Sequence, residues 1–263
     1  MKIGVIGHTG MVGTELHWRG YEPIACDVTN PTSVRRALDG MGYDAIIYAA
    51  GVTDVDACEK DPTDAKMVNV FGVHNVVDVY EGKLIYISTD HVFSGNKFLH
   101  GGYTERHKPS PINKYGITKI SGEWMMGMGR SDARIIRTSK LFNRKVLVQL
   151  QLLQKCNITK EYSTVLKRSF LHVQHFVDGL QFVLDNWDKI PAILNISGTD
   201  IMTHFMFHCA IARKFGVSLD LVKARTHYIK ELAPRPKRAG LNVSLAKKLG
   251  VPLYSAYEGI ELL

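Results

Sequence analysis

The stretch KIGVIGHTGMVG, at residues 2–13, decides the fold of this chain. A short apolar run leads into Gly7, Gly10 and Gly13, and a segment of helical character follows. Gly7 allows a tight turn, Gly10 lets the backbone approach a pyrophosphate, and Gly13 lets the helix lie close to the strand. The free N–H groups at a helix N-terminus attract phosphate. The spacing therefore predicts a strand, a phosphate-binding loop and a helix, with a purely structural turn as the alternative.

Apolar and amphipathic segments alternate from this loop to residue 138. Strands are predicted at residues 2–6, 22–26, 44–50, 83–88 and 133–138. Helices are predicted at residues 11–19, 31–39, 63–80 and 113–128. This alternation is typical of a parallel sheet with helices on both faces. The expected fold class is α/β, a Rossmann-type doubly wound parallel sheet.

The pattern loosens after residue 139, where a helix at 172–187 and a strand at 192–196 are the clearest elements. The other segments look irregular, with helical patches at 203–215 and 243–249. We therefore expect a dinucleotide-binding domain and a small C-terminal substrate lobe. The domain is predicted to comprise residues 1–140 and about 170–198, and the lobe about 141–169 and 199–263.

Composition narrows the class of protein. The 263 residues are 45% hydrophobic and 22% charged, which excludes a disordered or fibrous chain. The formal net charge of +8 is spread along the chain, so it favours an anionic small molecule, such as a nucleotide, over nucleic acid. The four cysteines form no C-x-x-C pair, no secretory leader is visible, and no apolar run approaches about 18 residues. A soluble cytoplasmic protein without a membrane partner is expected.

The second predicted strand ends at Asp27, 20 positions after Gly7. A carboxylate there can accept both ribose hydroxyls of adenosine and repel a 2′-phosphate. No Arg or Lys follows until Arg35, so NAD(H) is favoured as the coenzyme, with NADP(H) possible. The alternative is that Asp27 caps the helix that begins at Pro31.

A tyrosine and a lysine stand four residues apart on the helix predicted after the fourth strand. Tyr115 and Lys119 share one helix face, and an ammonium beside a phenol lowers the pKa of the phenol. Such a tyrosine can give a proton to a forming alkoxide. Thr89, at the carboxyl end of the fourth strand, could hydrogen-bond the same oxygen. Asp90 and His91 are expected to be structural, and His204 and His208 are read as part of a half-buried helix, so no metal site is predicted.

These motifs, in this order, resemble the extended short-chain dehydrogenases/reductases. The likeness is closer to the dTDP-4-dehydrorhamnose reductase family, through AAGVTDVDACE at residues 49–59, STDHVFSG at 88–95 and RPKRAGL at 235–241. It implies an NAD(P)H-dependent reductase of a nucleotide-linked 4-keto-6-deoxy sugar, as in dTDP-rhamnose biosynthesis. It also implies a homodimer formed through the helices at 63–80 and 113–128.

The resemblance further assigns site residues. It implies a catalytic triad of Thr89, Tyr115 and Lys119, and substrate contacts from Thr53, Val55, Thr89 and Tyr115. The implied coenzyme contacts are Gly7, Thr9, Gly10, Met11, Val12, Asp27, Val28, Ala49, Ala50, Gly51, Asn69, Tyr115 and Lys119.

The chain departs from that family in the expected substrate lobe. Lys140 stands where the reductases carry Trp after "RTS", and residues 141–173 lack two of the family's stretches. Three functions therefore stay open. They are the reductase, an NAD-dependent nucleotide-sugar epimerase or dehydratase of the same fold, and a non-catalytic regulatory subunit like that of methionine adenosyltransferase, which resembles this reductase family.

Overall fold

The computed structural model describes residues 1–97, 99–128, 132–228 and 232–263. Strands within these ranges are β1 (Ile3–Ile6), β2 (Glu22–Ile24), β3 (Ala45–Tyr48), β4 (Lys83–Thr89), β5 (Ala133–Thr138), β6 (Lys140–Phe142), β7 (Lys160–Ser163), β8 (Lys167–His172), β9 (Ile193–Asn195), β10 (Ile201–Thr203) and β11 (Val222–Arg225). Helices are α1 (Met11–Trp18), α2 (Pro31–Leu38), α3 (Val55–Lys60), α4 (Pro62–Lys66), α5 (Gly72–Val77), α6 (Lys114–Gly127), α7 (Lys145–Lys155), α8 (Val173–Asp185), α9 (His204–Lys214), α10 (Ser244–Leu249) and α11 (Ala256–Ile260).

The central sheet has six parallel strands in the order β2-β1-β3-β4-β5-β9. The direction of winding reverses between β1 and β3, so the loops that follow these two strands diverge and leave a crevice at their carboxyl ends. Apolar side chains of α1 and α8 cover one face of the sheet, and those of α2 and α5 help to cover the other. The doubly wound Rossmann-type fold predicted from the alternation is confirmed.

Two smaller sheets lie outside the central one. In the first, β8 pairs antiparallel with β10 and parallel with β6, and in the second β11 pairs parallel with β7. Phe142, Phe170 and Phe207 pack with α9 and α11 in a separate apolar core. The expectation that residues 140–170 are irregular was wrong, because these short strands find partners only at distant positions of the chain. The assignment of separate coenzyme and substrate roles to the two parts stays a prediction.

The helix predicted at residues 63–80 is interrupted by a wider π-helical turn at Met67–Phe71, between α4 and α5. The turn carries Asn69, whose side chain is fully buried. Outward from the sheet, Phe71, Ile117, Trp124 and Met128 remain exposed. These apolar side chains lie on the helices for which a homodimer was expected, and that dimer stays a prediction.

Within the described ranges, no helix combines the length and the apolar character needed to cross a membrane. Nor do these ranges bring together three or more His, Cys, Asp or Glu side chains in a geometry that could hold a metal ion.

A buried ion pair fixes α6 to the central sheet. Arg137 of β5 donates from Nε to Glu123 Oε1 at 2.9 Å and from a terminal nitrogen to Oε2 at 2.5 Å. Ser88 of β4 donates to the same Oε1 at 2.5 Å. Both charged side chains are only 2% exposed. Bidentate geometry and the serine bond compensate the loss of hydration of the two charges.

Removing one partner of this buried ion pair should lower the free energy of unfolding far more than removing one partner of an exposed ion pair. We expect Glu123→Gln to lower the free energy of unfolding by about 3 kcal/mol or more, because Arg137 would keep a buried charge without its counter-ion. Asp78→Asn is the matched control, since the Asp78–Arg35 pair spans 3.8 Å at side chains more than 60% exposed. Its loss should stay under about 1 kcal/mol. Equal losses in urea denaturation would contradict this role of Glu123.

Candidate active site

A cavity of about 340 Å³, here the central cavity, opens at the carboxyl ends of β1, β3, β4 and β5. The predicted site residues that line it are Gly10, Met11, Val12, Ala49, Ala50, Gly51, Thr53, Val55, Thr89, Tyr115 and Lys119. The fold thus brings together residues that lie more than a hundred positions apart in the sequence. This crevice is where a doubly wound sheet binds its ligand.

The glycine loop has the geometry that a phosphate requires. Gly7 has φ of +87°, and a Cβ there would lie 2.4 Å from Ala50 N. A Cβ on Gly13 would lie 2.2 Å from Gly7 O, so α1 packs directly on the loop. Gly10 differs, because a Cβ there would meet only Gly7 O at 3.4 Å. Gly10 begins α1 without a side-chain cap, which leaves the first helical N–H groups available beside the cavity.

Tyr115 and Thr89 both line the central cavity. Burial raises the pKa of Tyr115 above its usual value, and interaction with the Thr89 hydroxyl lowers it in part. The Tyr115 phenol is therefore protonated at neutral pH and can act as a proton donor. Asn113 caps α6 by accepting a hydrogen bond from Gly116 N at 2.8 Å, and so fixes the first turn, which carries Tyr115.

The sequence argument placed the Lys119 ammonium beside the Tyr115 phenol, to lower the pKa of that phenol, and this role stays a prediction. The Lys119 Nζ lies 4.0 Å from the centre of the Tyr86 ring. Loss of hydration lowers the pKa of Lys119 to about 7, and the Glu123 carboxylate opposes this shift. Burial is therefore the largest cause of the pKa shifts of both Tyr115 and Lys119.

Five predicted coenzyme residues lie outside the lining of the central cavity, namely Gly7, Thr9, Asp27, Val28 and Asn69. Gly7 supports the loop from behind, and Val28 belongs to the apolar core beneath α5. Asn69 bonds both the N–H and the carbonyl of Val52, at 2.9 and 3.0 Å, and donates to Thr118 Oγ1 at 3.0 Å. Asn69 therefore holds the loop after β3 against α6, in a supporting role.

Asp27 is exposed at the end of β2, and its carboxylate is already used locally. Its Oδ1 accepts hydrogen bonds from the amide and the hydroxyl of Thr29, at 2.9 and 2.7 Å, and these bonds lower the pKa of Asp27. Asn30, not Asp27, caps α2. The helix-cap alternative for Asp27 is therefore wrong in detail, although the carboxylate does stabilise the turn before that helix.

A second cavity of about 410 Å³, here the lobe cavity, adjoins the first. Thr53, Val55, His91, Lys140 and Arg168 line both cavities. Sequence reasoning missed the last three as site residues. His91 was expected to be structural, and Lys140 was noted only as a departure from the reductase pattern.

Asp90 joins the central sheet to the lobe, as its expected structural role requires. Its buried carboxylate pairs with Arg168 Nε at 3.3 Å and accepts a hydrogen bond from Ser139 Oγ at 2.6 Å. Arg168 also donates to the carbonyl of Pro236 at 2.7 Å. Loss of hydration raises the pKa of Asp90, with Arg168 and then Ser139 acting against that shift.

The family model described as RmlD substrate binding domain matches residues 1–261. The chain belongs to this family. The likeness to dTDP-4-dehydrorhamnose reductases, inferred from the motifs, is thereby confirmed at the level of the family.

Relatives and solved structures extend this finding. The spore coat polysaccharide biosynthesis protein SpsK of Bacillus subtilis is 26% identical over 95% of this chain and 92% of its own length. Methionine adenosyltransferase 2 subunit beta of Xenopus laevis is 26% identical over 86% of this chain and 70% of its own. The dTDP-4-dehydrorhamnose reductase of Bacillus anthracis, solved in complex with NADP, superposes with a TM-score of 0.91 at 26% identity. That superposition covers 99% of this chain and 98% of the reductase.

The open space at Gly10 gives a test of the loop. We expect Gly10→Val to fold normally, because its Cβ meets only one backbone oxygen, and to lose NADPH binding, because the side chain fills the space beside the first turn of α1. Gly127→Val is the control, since a Cβ at Gly127 meets nothing within 4 Å and lies at the far end of α6. Fluorescence titration with NADPH measures both. Unchanged affinity in folded Gly10→Val would refute the phosphate-binding role of the loop.

The lowered pKa of Lys119 predicts a pH-dependent stability. Between about pH 7 and the ordinary lysine value of 10.5, the unfolded chain holds a proton that the folded protein has released. Raising the pH in this window therefore favours folding, by up to about 1.4 kcal/mol per pH unit. We expect the free energy of unfolding to rise from pH 7 to pH 9 relative to Lys119→Met, which lacks the group. Parallel curves for the two proteins would show that Lys119 titrates normally.

Proposed function

We propose that this protein is an NAD(P)H-dependent reductase of a nucleotide-linked 4-keto-6-deoxy sugar. The observation that carries the proposal is the central cavity, where a glycine loop, the residues after β3 and a Thr–Tyr–Lys group meet in a chain of the RmlD substrate binding domain family. The adjoining lobe cavity offers a second compartment, large enough for part of a nucleotide-linked sugar.

The residues present fit a nicotinamide dinucleotide. Gly10, Met11 and Val12 offer backbone N–H groups to its pyrophosphate, and Ala49–Gly51 form the opposite wall without bulky side chains. Asp27 stands at the end of β2, where an adenosine ribose would lie. Because a related reductase of 26% identity was solved with NADP, the earlier preference for NAD is replaced by a proposal that admits both coenzymes.

The chemistry follows from the groups around Thr89. The reduced nicotinamide supplies a hydride to the keto carbon of the sugar when it is bound. Tyr115 is protonated and donates its proton to the carbonyl oxygen as negative charge develops there. Thr89 donates a second hydrogen bond to the same oxygen. Lys119, whose pKa lies near 7, stabilises the tyrosinate that remains and supports its reprotonation.

A second function is favoured by one comparison. Methionine adenosyltransferase 2 subunit beta has the same 26% identity to this chain as SpsK, although over less of each chain, so a non-catalytic subunit is the alternative. Assays of the wild-type protein with dTDP-, UDP- and GDP-linked 4-keto sugars separate the two. NADPH oxidation with any of them supports the reductase, whereas NADPH binding without turnover on the whole panel supports the subunit.

The role of Tyr115 can be tested by removing one hydroxyl. We expect Tyr115→Phe to lower kcat by about 10²–10⁴-fold, because the general acid is lost, with NADPH affinity nearly unchanged. Thr89→Val should cost less, since it removes a hydrogen bond but no proton. Tyr257→Phe, at an exposed side chain of α11, is the control. Turnover by Tyr115→Phe within about twofold of wild type would exclude Tyr115 as the proton donor.

Coenzyme choice tests the position of Asp27. We expect Asp27→Asn to raise the ratio of kcat/KM for NADPH to that for NADH by about threefold at low salt, because an exposed carboxylate repels a 2′-phosphate weakly. Asp39→Asn, at the exposed end of α2, should leave the ratio unchanged. A ratio that does not move in Asp27→Asn would place the adenosine ribose elsewhere.

A further inference from the structure

Lys140 occupies the boundary between the two cavities. It follows β5 by two residues, and the last residue of β5, Thr138, pairs with Thr89 of β4. The Lys140 side chain is exposed to the cavity space and lines both compartments. The Lys140 ammonium therefore lines the same cavity as the hydroxyl groups of Thr89 and Tyr115.

Unlike its cationic neighbours, Lys140 is not matched by an acid. Arg168 is paired with Asp90, and Arg235 donates to Asp56 at 2.7 Å. Among the described residues, no hydrogen bond or ion pair reaches Lys140 Nζ. Loss of hydration, then the positive charge of Arg168, lower the pKa of Lys140, while Asp90 raises it. Within the described part of the chain, no anionic side chain therefore accepts a hydrogen bond from the Lys140 ammonium.

His91 supplies a second donor on the same boundary. Asn113 Oδ1 accepts from Gly116 N, so its Nδ2 is the atom that lies 3.1 Å from His91 Nδ1 and 2.8 Å from the carbonyl of Pro234. His91 Nδ1 is consequently an acceptor, and because burial lowers the pKa of His91, its single proton resides on Nε2. No protein hydrogen bond in the described ranges uses that Nε2–H.

The acids around the lobe cavity do not cancel these donors. Asp54 caps α3 by accepting from the amides of Asp56 and Ala57, both at 3.0 Å. Asp56 is engaged by Arg235, as described above. Glu161 lines only the lobe cavity and not the central one. Of the described residues that line both cavities, none is an acid, and the nearby carboxylate of Asp90 is already paired with Arg168.

We infer that Lys140 and His91 form a subsite for an anionic group that the substrate carries close to its reacting carbonyl. Two sources have the required chemistry: a carboxylate on the sugar, and the diphosphate that links the sugar to its nucleotide. The Lys140 ammonium supplies the charge and His91 Nε2–H a directional hydrogen bond. This inference rests on the proposed function only in taking a nucleotide-linked keto sugar as the substrate class. A carboxylate at C6 would replace the 6-deoxy group of that proposal, and the test measures binding alone.

The experiment compares matched ligands on protein saturated with NADP, by isothermal titration calorimetry. UDP-glucuronate against UDP-glucose reports a sugar carboxylate, and dTDP against thymidine reports the diphosphate. We expect the wild type to bind UDP-glucuronate about tenfold more tightly than UDP-glucose, or dTDP about tenfold more tightly than thymidine. Lys140→Met should reduce that preference to about twofold or less, and His91→Phe should weaken it in the same pair.

Lys145→Met is the control, because Lys145 begins α7 and lines neither cavity. It should bind all four ligands like the wild type. The pair that loses its preference in Lys140→Met identifies the source of the anion. The subsite is refuted if the wild type shows no charge preference in either pair, or if Lys140→Met retains it. A failure here leaves the Tyr115→Phe result untouched, so the two proposals can fail separately.

Discussion

The buried ion pair between Arg137 and Glu123 is the interaction on which the site depends. A bidentate pair that is almost fully enclosed has one favourable geometry, and Ser88 fixes the carboxylate further. Glu123 lies one turn beyond Lys119 and two beyond Tyr115 on α6. Once Glu123 is tied to β4 and β5, the first turns of α6 must lie over the ends of those strands. The site is therefore positioned by a polar contact beneath it, in addition to apolar packing.

Burial then gives each group in the site its protonation state. Loss of hydration disfavours charge, so it keeps Tyr115 protonated and His91 neutral and brings the pKa of Lys119 to about 7. The buried carboxylate of Asp90 is balanced by Arg168 and Ser139, which also ties the lobe to the sheet. Lys140 has no such partner among the described residues, and it lines both cavities. Loss of hydration is thus the largest cause of the protonation states of Tyr115, His91 and Lys119.

Sequence reasoning succeeded where the signal is local. Glycines at positions 7, 10 and 13 and the alternation of strand and helix reveal the parallel sheet, because turn chemistry and hydrophobic period are properties of short segments. It failed in the segment at residues 140–170. The strands β6, β7 and β8 are three to six residues long, and each is stabilised by a partner far along the chain.

The sequence by itself determined the doubly wound sheet, the glycine loop and the placement of Thr89 and Tyr115 at strand and helix ends. Only the tertiary structure decided that Lys119 packs on Tyr86, that Asn69 supports a loop from behind, and that residues 91, 140 and 168 line one boundary. Helix and strand periods are encoded within a few residues. The hydration, charge and neighbours of a side chain depend on every element that packs around it, and these come together only when the chain has folded.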